Sequence, residues 1–167
     1  GHFHGHAKLS AEIADERLKE LKYDNETRKK VVELVSYHDV TFVYTEKEIK
    51  KCVKRWLNKI GEEQFRRLLD IRLADVLAQA PEYALNRINN IHNLLNALEE
   101  VLKEKDCFTL KELEINGNDL ISIGIKQGKE IGNILNTLLD KVINEELENK
   151  KEVLLQYVEE NFQNKMF

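Results

Sequence analysis

Between residues 6 and 116 the chain contains one glycine, Gly61, and one proline, Pro81, whereas four of its seven glycines fall within residues 117–132. Helix-breaking residues are thus almost confined to one short stretch, and the rest reads as long helices. Within that stretch Gly124, Gly128 and Gly132 recur every fourth residue. The pattern predicts helix, turn, helix. Asn118 caps a short helix over 119–123, the chain turns through Gly124 to Gly128, and a second helix carries Ile131, Ile134, Leu135, Leu138 and Leu139 inward. Such a turn presents unbonded backbone N–H groups at a helix start, with Lys126 and Lys129 beside them, which suits a phosphate. The competing reading gives the glycines to close packing or positive φ alone.

The 167 residues are 42% hydrophobic and 34% charged, enough for one ordinary soluble domain or two small ones. The net charge of −4 excludes a general attraction to nucleic acid, so any such binding needs a local basic face. Cys52 and Cys107 lack metal-type spacing and no signal peptide is visible, which points to a reduced, cytoplasmic protein. No apolar run approaches the ~18 residues of a membrane span. The start Gly1-His2, without methionine, reads as a cloning remnant ahead of a piece of a larger protein.

Along the chain, Ser10 is placed to cap a helix running to about Lys22, with Ile13, Ala14, Leu18 and Leu21 as its apolar stripe. Asp24 or Asn25 caps a second helix through Val31, Leu34 and Val35, closed by Tyr37-His38-Asp39. Residues 40–44 are β-branched and aromatic, but no partner strand is visible, and an extended loop is expected. Thr45 and Glu48 form a capping-box pattern for the next helix, which Gly61 ends. A helix from Glu62 to Ala80 follows, with Phe65, Leu68, Leu69, Leu73, Val76 and Leu77 buried. Pro81 then opens a long helix over 82–105 in which His92 is expected to be partly buried. A polar break after it suggests a boundary, giving a helical bundle over 1–105 and a small tail domain over 106–167. In the tail, Thr109 and Glu112 repeat the capping-box pattern, and helices are expected at about 129–145 and 148–165. The fold class is all-α.

Two constellations could carry chemistry. On the helix before Gly61, Lys47, Lys50, Lys51, Lys54 and Lys59, with Arg55 at the flank, lie opposite an apolar face of Ile49, Cys52, Val53, Trp56, Leu57 and Ile60. This basic face is the best electrostatic candidate for a phosphate backbone, weighed against an ordinary solvated helix side. His6, His38 and Asp75, from three successive helices, could converge on a divalent metal, weighed against a helix-closing histidine and an aspartate paired with a neighbouring arginine. His2, His4 and His6 alternate and can pick up adventitious metal. No phosphate-loop, nucleophile-elbow or Cys-x-x-Cys motif is present, and no carboxylate cluster offers two-metal catalysis.

The ordered segments Phe3-His4-Gly5-His6-Ala7-Lys8-Leu9-Ser10-Ala11, Leu34-Val35-Ser36-Tyr37-His38-Asp39, Leu57-Asn58-Lys59-Ile60-Gly61-Glu62-Glu63 and Leu68-Leu69-Asp70-Ile71-Arg72-Leu73-Ala74-Asp75 resemble the HD-domain portion of bacterial tRNA nucleotidyltransferases, the CCA-adding and poly(A) polymerase family. The stretch from Ile115 to Leu135 resembles that family's C-terminal segment. The resemblance implies a truncated HD-like body and a tail that hold tRNA. The addition chemistry then belongs to an N-terminal head upstream of this sequence, where magnesium would act, and this portion by itself is not expected to be catalytic. It places His6, His38 and Asp75 at the later ligand positions of the HD pattern, whose His-Asp doublet lies upstream of Phe3, and it implies no cofactor in this portion. Lys47, Lys50, Lys51, Lys54, Arg55, Lys126, Gly128 and Lys129 are then the expected RNA contacts. The alternatives are an HD-type metal-dependent phosphohydrolase and an interaction or dimerisation module, a homodimer being one form, on the broad apolar faces of 129–165.

Overall fold

The computed structural model describes residues 6–78 and 81–163. All regular structure among the described residues is helical, without strands, in agreement with the all-α reading. Seven α-helices are described: α1 (His6–Glu20), α2 (Asn25–Tyr37), α3 (Ile49–Leu77), α4 (Pro81–Glu104), α5 (Gly117–Ser122), α6 (Lys129–Ile143) and α7 (Lys151–Val158). Single 3₁₀ turns at Glu46–Glu48 and Leu110–Glu112 precede α3 and α5, and α7 runs on into a wider π-type turn over Glu159–Gln163.

The first two helices form a hairpin. Ser10 lies inside α1, because the helix already begins by His6, so it is not the cap. Asp24 is the cap of α2: its carboxylate accepts from the N–H groups of Glu26 and Thr27 at 3.0 and 2.9 Å. Arg28 of α2 reaches Asp15 of α1 at 2.7 Å. Because α1 packs chiefly on α2, its stripe is only partly covered, and Leu9, Ile13 and Leu21 are exposed. Gln64 ties the hairpin to α3, donating to the Lys30 carbonyl at 3.0 Å and to Glu33 at 2.9 Å.

α3 is kinked. Gly61 sits at φ 77 and ψ 167, a backbone region open essentially to glycine, so the expected helix end is a sharp bend after which a new helical segment starts at once. Leu77, expected inside, is exposed in the last turn. α3 and α4 run in opposite directions: Lys50 in the first turn of α3 reaches Glu104 at the end of α4, while Val76 shares a cleft with Ile91. Their shared core contains Val53, Leu57, Phe65, Leu69, Val76, Leu94, Leu98 and Val101. His92 faces solvent rather than this core, since the buried positions described on α4 are Ala84, Ile91, Leu94, Ala97, Leu98 and Val101.

The segment 40–45 has no regular structure, as expected of a loop, and its side chains alternate, Phe42 and Tyr44 turned toward the core and Val43 86% exposed. Phe42 packs edge-on against Trp56 and Phe65, whose rings are stacked, and the Tyr44 hydroxyl donates to the Asn90 carbonyl at 2.9 Å. These contacts replace a partner strand as the anchor of the loop. At Thr45 the side chain bonds the Glu48 carboxylate at 2.8 Å but does not cap the backbone.

A second apolar core is formed by Leu113, Ile115, Leu120, Ile125, Ile134, Leu138, Leu139, Ile143, Leu154 and Val158. The Thr109/Glu112 capping box is present in full. The cap of α5, however, is Asn116 and not Asn118: its side chain accepts from the Asn118 N–H at 2.8 Å, and Asp119 returns the bond to the Asn116 N–H. Registering the cap two residues earlier brings Gly117 against α6, where a Cβ would stand 3.2 Å from Ile131. Asn149 closes the tail, accepting from the Glu114 N–H at 3.0 Å and donating to the Glu112 carbonyl at 2.8 Å. This bridge holds 148–150 in a turn and delays α7 to Lys151.

Candidate functional site

The basic side of α3 is not a bare solvated face. Lys50 is held by Glu100 and Glu104 at 3.2 and 2.9 Å. Those two carboxylates raise its pKa above the ordinary lysine value. Lys51 donates to the Asn144 carbonyl at 2.8 Å and pairs with Glu145 at 3.3 Å. Arg55 donates to the Asn144 side-chain oxygen. Lys54, expected at the surface, is 6% exposed and paired with Asp106 at 2.8 Å. The expectation of a solvent-facing stripe is therefore corrected: docking of α6 and of the end of α4 converts most of it into a seam. Lys59 instead lies over the rings of Tyr37 and Trp56 at 4.4 and 4.9 Å from the centroids. Lys47 remains exposed on the turn before α3.

The glycine turn keeps an open surface. Lys126, Gln127, Gly128, Lys129 and Glu130 are all exposed. Gly124 follows α5 at φ 96, and the Ile125 N–H bonds back to the Leu120 carbonyl at 3.0 Å, so Ile125 is buried and the chain then emerges. Gly128 is the N-cap of α6 and supplies no side chain to its first-turn N–H groups. The end of a helix that carries partial positive charge thus stands beside two lysines, with Glu130 as the one acid in its first turn.

His6 and His38 are brought together, their rings edge to face at 5.2 Å. His6 Nε2 is 3.5 Å from Asp39. His38 Nδ1 lies 2.6 Å from the Val35 carbonyl, which can only accept, so Nδ1 carries the proton. The Arg72 guanidinium donates to the His38 carbonyl at 2.9 Å and lies 3.6 Å from Asp75. Asp75 thus faces an arginine one helical turn away, and among the described residues no three His, Cys, Asp or Glu side chains form a metal-ligand set. His6, Asp39, Arg72, Asp75, Arg87 and Asn90 line a cleft of about 440 Å³ with mixed charge, which as it stands does not fit a divalent metal. His2 and His4 lie outside the described residues.

The model for tRNA nucleotidyltransferase domain 2 matches residues 3–158. The chain belongs to that family. No curated protein and no solved structure matches the chain.

For this tRNA nucleotidyltransferase body, the residues that sequence reasoning missed are the acceptors on the far side of the seam: Asp106, Asn144 and Glu145. Each follows the last turn of a helix, and nothing local marks it as a partner of α3. No described helix is long and apolar enough to cross a membrane.

Proposed function

We propose that this chain is the RNA-holding body and tail of a tRNA nucleotidyltransferase of the CCA-adding or poly(A) polymerase type, keeping a tRNA in place while an N-terminal head extends its 3′ end with magnesium. The family match over residues 3–158 is the observation that carries this reading. A cytoplasmic setting follows from the tRNA partner. In the tail, Lys126, Gly128 and Lys129 are the positions best placed for phosphate, because they are exposed beside an uncapped helix start. On the body, Lys47 can join them directly. Lys50, Lys51, Lys54 and Arg55 hold carboxylate or amide acceptors, so a phosphate would have to displace a bond already made. The division into a body over 1–105 and a tail over 106–167 fits the two separate apolar cores.

The test is binding of the chain to tRNA across a salt series. Lys126→Glu with Lys129→Glu is expected to weaken binding and to lower the slope of log affinity against log salt by about one for each lysine that had neutralised a phosphate. An unchanged slope overturns the tail assignment, and a chain without salt-dependent tRNA binding overturns the RNA-holding role.

A further inference from the structure

Lys51, Lys54 and Arg55 stand at i, i+3 and i+4 on α3 and share one face. Two helix C-termini come to that face, and both end in the same geometry. Lys105, at φ 54, follows α4, and the Asp106 N–H bonds back to the Val101 carbonyl at 3.3 Å. Glu145, at φ 61, follows α6, and the Glu146 N–H bonds back to the Lys141 carbonyl at 2.9 Å. These are Schellman closures, which fix the backbone that carries Asp106, Asn144 and Glu145. A helix end of this kind bears partial negative charge, so two of them side by side draw cations. The body and tail otherwise have separate apolar cores, and apolar packing leaves their mutual angle weakly specified.

We propose that Lys51, Lys54 and Arg55 form an electrostatic latch that sets the angle between body and tail before any ligand binds. The latch has two parts with different responses to salt. Lys54 and Asp106 make a pivot at the root of the connection, and because the lysine is buried, salt screens this pair little. Lys51 and Arg55 make an arm on residues 144 and 145, where salt screens the Lys51–Glu145 ion pair but not the bonds to the neutral carbonyl and side-chain oxygens of Asn144. High salt thus loosens the arm without opening it, and only removal of both cations lets the tail swing about Asp106. The inference rests on the seam and not on the RNA reading.

The experiment places spin labels on the full chain at Asn89→Cys and Gln127→Cys, both exposed positions, and reads the inter-label distance without RNA. Cys52 and Cys107, the two free cysteines, are first changed to Ala so that label attaches only at the introduced thiols. A single narrow distance is expected at low salt, broadened modestly at high salt. Lys51→Gln with Arg55→Gln is expected to abolish the narrow distance even at low salt, and Lys51→Arg to retain it. A narrow distance that persists in the double variant overturns the latch. Because the measurement contains no RNA, failure of tRNA binding does not bear on it.

Discussion

Lys54 Nζ stands 2.8 Å from Asp106 Oδ2, with the lysine side chain 8% exposed and the aspartate 28%. A lysine from the polar side of α3 is thus withdrawn from water by the residue that follows the end of α4. Removing Asp106 leaves a largely buried charge alone. Asp106→Ala is expected to destabilise the fold by about 3 kcal/mol, and Lys54→Met with Asp106→Leu to recover most of that stability. Urea unfolding of the three chains checks this. Similar destabilisation in the single and double variants would mean that the pair's charge is not what holds the site.

Lys22, Lys105 and Glu145 all have positive φ at the residue that closes a helix, where glycine is the usual occupant. Lys22 lies outside the seam, with the Tyr23 N–H bonded to the Leu18 carbonyl at 3.0 Å, so its backbone strain can be tested alone. Relief of that strain exceeds the entropy glycine adds to the unfolded chain. Lys22→Gly is therefore expected to stabilise by about 0.5 kcal/mol. A thermal melt in which the variant is less stable than wild type refutes the strain.

The Asp119 carboxylate is held below its usual pKa, first by Lys151 at 2.6 Å and then by the Asn116 N–H. A carboxylate whose folded pKa lies below its unfolded value of 3.8 contributes stability above that value and loses it as pH falls through the folded pKa. Wild type is expected to lose stability below about pH 4 more steeply than Asp119→Asn. Denaturant unfolding at neutral and acid pH measures the two slopes, and equal slopes would remove Asp119 from the acid response of the tail.

The local features of the fold were legible in the sequence. The bend at Gly61, the helix start at Pro81 and the Thr109/Glu112 box each depend on a few consecutive residues. The errors arose where neighbouring residues offer the same local chemistry. Asn116 and Asn118 can both cap, and the choice went to the residue whose register lets Gly117 meet Ile131 and Asp119 close the box. Leu21 and Leu77 continue their apolar stripes but lie at helix ends, beyond the reach of the packing partner. In the histidine cleft, the pairing of Asp75 with Arg72 three residues away was open to local reading, whereas the approach of His6 to Asp39 on another element was not.

By itself the sequence determined that this chain is helical, where its main helices break, and that Lys126, Gly128 and Lys129 surround a turn. Those properties follow from backbone preferences and apolar spacing, which act within a few residues. Only the tertiary structure decided what becomes of Lys50, Lys51, Lys54 and Arg55. Helical periodicity says that such residues lie opposite an apolar stripe, but whether they meet water or a carboxylate depends on which distant helix end docks there. That docking is set by the packing of elements far apart in the chain, and here it brought two negatively polarised helix ends onto one cationic face.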